Sequence, residues 1–264
     1  MNPQDLPLCF IIEKKRKVMM NRIPLETTDD DSSIRFRDCF SVRYIQSAAL
    51  LCRLGHSIEK SFAESGIISD EQRLCHEVFI LNALLSSVAF LESTVNELYA
   101  DAADDAYFFP DEKMETLLKT IGEKWRNEKN FDRAPLVNKY QKILLIAGKP
   151  EFEEDDLIFS DIRTLIEIRN YLMHYKREWI VIQKRGTGED FDEAHGEKLE
   201  RLLSNKFKYN PLAQKNRPFF PDICFGHGCA EWAVKNSLEF TDEFFKRLGL
   251  PPPYEAVHHE LATE

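Results

Sequence analysis

The amino-acid sequence predicts an all-α protein: an antiparallel helical bundle with a short irregular N-terminal arm and minor strand content. Three observations lead there. Long stretches repeat their apolar residues every three or four positions, the helical period. Among 264 residues there are only 10 Gly and 12 Pro, so tight turns are few and helices long. Strand-type runs are short, at Leu8–Ile12, Lys17–Ile23 and Trp179–Gln183, and the last reads equally as a helix end.

The elements follow in order. Residues 1–34 form the arm, and its Thr27–Ser33 stretch is a polar, acidic linker. The helical domain covers residues 35–248, and residues 249–264 form a tail expected to be mobile. A first helix is predicted from Ser41 to Glu64. Ser69 or Asp70 caps the next, with Glu71 and Gln72 in its first turn. It runs to Asp101, with a stripe of Leu74, Val78, Leu81, Leu85, Val88, Glu92, Val95 and Tyr99 as its packing seam. Pro110 and Asp111 open a helix that ends near Asn127. Pro135 starts another, which stops at Gly148-Lys149-Pro150. After the acidic residues Glu151–Asp156, a strongly periodic segment spans Asp161–Trp179. Lys184–Asp190 reads as a loop, Glu193–Asn205 as a short helix and Phe207–Gly228, with Pro211, Pro218 and Pro221, as irregular. The last helix, Cys229–Leu248, turns Trp232, Leu238, Phe244 and Phe245 to the core, and Pro251–Pro253 follow its end.

Composition bounds the function classes. At 43% hydrophobic and 30% charged residues, the chain has the balance of a globular domain. Phe79–Leu91 is nearly apolar but is interrupted by Asn82, Ser86 and Ser87, too short and too polar to span a bilayer. The charges Glu13–Lys17 follow the apolar stretch Leu8–Ile12, the wrong order for a secretory signal, so a cytoplasmic location with no membrane partner is expected. The six cysteines are scattered, which argues for buried thiols over a disulfide framework. Cys224, His227 and Cys229 offer three zinc-type ligands, but no second Cys/His pair stands at recognisable spacing. No metal and no cofactor are therefore expected, and the sequence contains no Gly-rich phosphate loop. The net charge of −10 excludes general, sequence-blind coating of nucleic acid. Locally, residues 161–185 are net basic, and Lys206–Phe220 interleaves four cations with Phe207, Tyr209, Phe219 and Phe220. That mixture suits single-stranded RNA, although a packed loop reads the same way.

The segment Arg169-Asn170-Tyr171-Leu172-Met173-His174 is the most informative in the chain. On a helix, Leu165, Ile168, Leu172, Tyr175 and Trp179 share one side, and Ile162, Ile166 and Met173 form a second apolar stripe. Such a helix is expected to be buried over most of its circumference. The remaining narrow side carries Arg163, Glu167, Asn170, His174 and Arg177. Arg169 stands at the edge of the second apolar stripe, from where its stem reaches round. An imidazole, an amide and guanidinium groups are what moving a proton and holding a phosphate require. A plain solvated face would show a mixture of Glu and Lys instead.

An Arg followed directly by Asn and then by a His, near the end of a late helix, resembles the signature of the HEPN superfamily (higher eukaryotes and prokaryotes nucleotide-binding domains). The specific part is Leu165–His174, within a looser likeness from Ser41 to Leu248. Leu91–Leu98, with Glu92 and Asn96, also resembles the N-terminal helix of several HEPN groups. The resemblance implies a bundle of four or five helices with the signature on a late one. It implies a metal-independent endoribonuclease of the toxin–antitoxin or phage-defence type, with RNA as substrate and a cognate antitoxin as a candidate partner. It also implies a homodimer, in which two signatures share one cleft. Arg169, Asn170 and His174 would be catalytic, with Glu92, Asn96, Arg163 and Arg177 in support. Some HEPN groups lack activity, so a non-catalytic RNA- or nucleotide-binding or dimeric interaction module is the alternative.

The residue types suit cleavage by the RNA's own 2′-hydroxyl. An imidazole with an ordinary pKa near 6.5 can serve as base or acid at neutrality. Arg169 can clamp phosphate oxygens bidentately. Glu92 takes a seam position where a buried carboxylate is costly unless paired, and Arg169 is the candidate partner, with Asn96 sharing the network. Tyr175 and Trp179 are expected in the core, and His56, His76, His195 and His227 show no partner pattern in sequence.

Overall fold

The computed structural model describes residues 39–103, 112–127, 133–175, 195–214 and 217–264. The described residues are helical, with no strand among them, and the all-α class holds. The helices are α1 (Phe40–Ser65), α2 (Asp70–Ala103), α3 (Glu112–Asn127), α4 (Leu136–Ile146), α5 (Leu157–Met173), α6 (His195–Leu203) and α7 (His227–Leu248). The arm of residues 1–34, its two expected strands, the Trp179–Gln183 run and the 184–190 loop lie outside the described residues.

The helix boundaries have local causes. At the start of α2, the Gln72 N–H donates to Ser69 Oγ (3.1 Å) and the Ser69 N–H donates to Gln72 Oε1 (2.9 Å), a reciprocal capping box. The end of α4 is closed by Gly148 at φ 62°, with Lys149 N–H donating to Leu144 O (2.9 Å) and Gly148 N–H to Leu145 O (3.1 Å). The same pair of bonds, from Leu250 to Phe245 and from Gly249 to Lys246, closes α7.

The chain divides into two compact units. The first takes the described parts of Met1–Ser41, Glu92–Glu151 and Phe244–His258. Tyr99 is fully buried there; its hydroxyl donates to Lys139 O (3.0 Å) and its ring stacks on Trp125 at 4.7 Å. Tyr140 packs edge-on against Phe244 at 4.7 Å. Glu97 accepts the first N–H groups of α1, from Phe40 (2.7 Å) and Ser41 (2.9 Å), satisfying donors that the helix leaves open.

The second unit takes Val42–Leu91, Phe152–Glu243 and His259–Glu264. Gly55 of α1 lies against Ile80 of α2 so closely that a Cβ would stand 2.6 Å from Ile80 Cδ1. This contact selects the buried face of the first half of α2, which departs from the predicted seam: Ile80, Ala83, Leu84, Ser87 and Leu91 are buried, whereas Leu74 and Val78 are exposed. Further along the helix the seam holds, with Val88, Val95 and Tyr99 buried. The helix is apolar over most of its surface, so the small residues that allow close approach decide which side turns inward. For the same reason its apolar stretch exceeds Phe79–Leu91. Among the described residues, Asp70–Ala103 is the one helix long and apolar enough, by length and composition, to cross a membrane; its Ile80, Val88, Phe90 and Val95 are buried within the protein.

Helix α5 buries Phe159, Ile162, Leu165 and Ile168. Phe152 stacks with Phe159 (5.9 Å) and packs on Phe240 (4.6 Å) at its start. Lys198 of α6 pairs with Glu167, and Asp161 accepts from both Lys206 and Trp232 Nε1, the latter at 3.3 Å. The tail is not mobile as expected but packed. Tyr254 and Val257 are buried in the first unit and Leu261 and Thr263 in the second. Its apolar residues come every three or four positions, and residues 255–260 form a short helical turn around buried Val257.

Candidate functional site

Helix α5 ends at Met173 and not at Trp179. His174 is its cap residue, at φ −115° and ψ 27°, with its N–H donating to Asn170 O (3.0 Å). The end of the helix is held by aromatic packing. Tyr171 meets Phe220 edge-on at 5.1 Å, and Tyr175 sits edge-on to Tyr171 at 5.5 Å. Phe220 is buried and packs on Phe225 at 5.0 Å, so the irregular 207–226 stretch buttresses the signature. The described residues of that stretch are packed: Phe207 lies against Trp232 and Tyr209 against Phe219, and Phe219–Ile223 form a single π-helical turn.

Burial along α5 is graded. Both apolar stripes are expected to be covered, but Leu172 of the first is half-buried and Met173 of the second is 61% exposed. Tyr175, expected in the core, is 55% exposed. Periodicity reports which residues share a side, and the last turn of α5 extends beyond the neighbours that cover its earlier turns. Asn170 and His174 are exposed at this end, and Arg169 is half-buried with its Nε fully withdrawn from solvent. The result is one exposed patch of an imidazole, an amide, a thioether and a phenol, edged by a guanidinium.

The supporting residues are placed differently. Arg163 pairs with Glu154 on the surface, a link of small energetic weight. Arg177 lies outside the described residues. Glu92 and Asn96 belong to the first unit, where both are half-buried. Asn96 Oδ1 accepts from Lys139 Nζ (2.8 Å), whose side chain is buried, so a lysine on α4 is a partner that periodicity on α2 did not reveal.

A second polar cluster, unrecognised in the sequence, occupies the second unit around the first residue of α7. His227 is buried, and its Nδ1 lies 3.3 Å from Nδ1 of His56 on α1. Its Nε2 donates to the carbonyl of Thr263 (3.1 Å), and its backbone N–H donates to Glu59 Oε1 (2.6 Å). Glu59 also accepts from buried His76 (2.8 Å). Thr263 Oγ1 donates to Glu231 Oε1 (3.1 Å), which takes a further bond from Lys235 (2.6 Å). Burial by itself raises the Glu231 carboxyl, but the bonds from Lys235 and Thr263 outweigh it and hold the carboxyl below its ordinary value. The neighbouring Cys52 thiol is pushed up to about 12 by burial and by the charges of Glu231 and Glu59, so it stays protonated. The Cys224–His227–Cys229 grouping does not form. Both sulfurs are buried, Cys224 is raised well above its ordinary value by burial and a hydrogen bond with Cys229, and His227 turns to His56 and Thr263. Only the i, i+3 placement of His56 and Glu59 on one helix hinted at this cluster in the sequence.

No protein-family model matches the chain, and no curated protein and no solved structure matches it significantly.

Proposed function

We propose that the protein is an endoribonuclease of the toxin–antitoxin or phage-defence type, acting as a cytoplasmic homodimer. The observation that supports this best is the exposed end of α5, where Asn170 and His174 face solvent beside half-buried Arg169. The HEPN-like order of these residues agrees with it. Cleavage by a 2′-hydroxyl needs a base on one side of phosphorus and an acid for the departing 5′-oxygen on the other. The single imidazole at the end of α5 does not reach both sides. Two copies of the α5 end across a two-fold axis supply two imidazoles and two guanidinium clamps, and Met173 and Tyr175 provide apolar surface for that contact. His174 moves the proton, Arg169 stabilises the phosphorane charge and Asn170 orients the imidazole or the phosphate. No divalent ion takes part in the chemistry.

The experiment is incubation of purified protein with mixed RNAs in EDTA, beside His174→Ala. Fragments with 2′,3′-cyclic phosphate and 5′-hydroxyl ends are expected. Loss of an acid–base group should cost about 10²–10⁴ in rate. Arg169→Lys should recover only part of the activity of Arg169→Ala, because an ammonium lacks the planar fork. Sedimentation at micromolar concentration should give twice the chain mass. Cleavage that requires Mg²⁺ and leaves 5′-phosphates, or a strict monomer, overturns this reading.

A further inference from the structure

We propose that His56, His227 and Glu264 form a binding site for a divalent transition-metal ion, zinc foremost. Each offers one ligand atom, and all three atoms lie within 4.8 Å of one another. The two imidazole Nδ1 atoms are 3.3 Å apart. Two nitrogens on a tetrahedral Zn²⁺, each about 2.0–2.1 Å from the ion, stand roughly 3.3–3.4 Å apart. The histidine pair therefore already has the spacing of one edge of such a site.

The surroundings orient His227 as a ligand. Thr263 O only accepts, so the Nε2 facing it carries a hydrogen, and in the neutral ring Nδ1 presents its lone pair to His56. A ligand histidine whose other nitrogen donates to a backbone carbonyl is the usual outer-shell arrangement of a metal site. Without an ion, the His56 Nδ1–H donates to that lone pair. With one, the ion takes the place of this hydrogen, and the His56 ring carries its proton on Nε2. His227 is also fixed in position, because its backbone N–H is held by Glu59 and Glu59 by His76.

The third ligand comes from a strap that is itself secured. Arg53 of α1 donates to the carbonyls of Glu260 (3.0 Å) and Ala262, and Thr263 bonds to Glu231. The carboxylates of Glu59 and Glu231 add negative charge beside the ligands, opposed by Lys235 and Arg53. Two imidazoles and a carboxylate make a borderline nitrogen–oxygen set that suits Zn²⁺ and not Mg²⁺ or Ca²⁺. Glu264 is exposed, so the ion enters from solvent and water completes its coordination. The bound ion ties α1, the start of α7 and the strap together. The site shares no residue with Arg169, Asn170 and His174, and it stands whether or not RNA is cleaved.

The test uses the full chain without an affinity tag, titrated with ZnCl₂ by calorimetry and with CoCl₂ by visible absorption. One ion per chain is expected, with a Co²⁺ spectrum of low-coordinate nitrogen–oxygen ligation and a raised melting temperature in Zn²⁺. His56→Ala and Glu264→Gln should weaken Zn²⁺ binding, the former at least about 100-fold, since even outer-shell changes cost 10–100-fold. The exposed pair His258→Ala/His259→Ala should bind as the parent does. Absence of saturable binding, or unchanged affinity in Glu264→Gln and His56→Ala, overturns the proposal. Should His56→Ala unfold, the exposed Glu264→Gln variant decides by itself.

Discussion

At the scale of single residues, the second unit shows how burial fixes chemistry. Cys52, Cys224 and Cys229 are buried, and desolvation disfavours the thiolate that reacts. Cys39 and Cys75 are only half-buried. A native titration with a thiol reagent, resolved by peptide mapping, should label Cys39 and Cys75 before Cys52, Cys224 and Cys229, which react only on unfolding. Fast labelling of Cys52 in the native protein would show that the burial around it is wrong. Gly122 illustrates competing magnitudes. Replacing a mid-helix Gly by Ala ordinarily stabilises by about 0.8–1 kcal/mol. Here the added Cβ would stand 2.2 Å from the backbone oxygen of Ala102, and overpacking of that kind costs about 1–3 kcal/mol. Gly122→Ala should therefore lower the urea midpoint; a raised midpoint would mean that α3 does not approach Ala102 so closely.

At the scale of elements, the caps explain why boundaries were legible where they were. Ser69 and Gln72 satisfy each other's backbone donors, a pattern written into the chain. Ser69→Ala should destabilise by about 1 kcal/mol, within the 0.5–2 kcal/mol range for such caps, and Ser69→Asp should restore most of it. Equal unfolding midpoints for wild type and Ser69→Ala would show that the capping box contributes nothing. The end of α5 had no comparable signal. The chain continues Met173-His174-Tyr175 with no Gly or Pro, so local propensity carries the helix onward. It stops where Tyr175 meets Tyr171, which packs in turn on Phe220.

At the scale of the whole molecule, acid stability should depend on the cluster that anchors the strap. Glu231 is held below its ordinary value, so its ionised form favours the folded state. That contribution is complete above the ordinary glutamate value and is lost as pH falls through the lower folded one. Lys235, raised by its bond to Glu231, contributes below its ordinary value and loses that at strongly alkaline pH. In metal-free protein, Glu231→Gln should be less stable than wild type at neutral pH and should lose less on acidification. Parallel stability–pH curves for the two would remove Glu231 from the account. The lysine bond is largely exposed, so the effect is expected to be small and salt-sensitive.

The sequence by itself determined the helical class, most helix limits and the residue order of the signature, because periodicity, caps and C-terminal glycines act over a few neighbouring positions. Its polar side was also legible: Asn170 and His174 are exposed, as a polar stripe requires. The tertiary structure alone decided which side the first half of α2 buries, since Gly55 and Ile80 stand far apart in the chain and their close approach has no local signature, whereas Val88, Val95 and Tyr99 of the predicted seam are buried. It alone decided that the tail is packed and that Met173 and Tyr175 are exposed, because burial depends on what lies opposite and not on period. And it alone brought together His56, His227 and Glu264, three residues from distant segments with no motif spacing. A ligand set assembled across the fold leaves no trace in the intervals between its members.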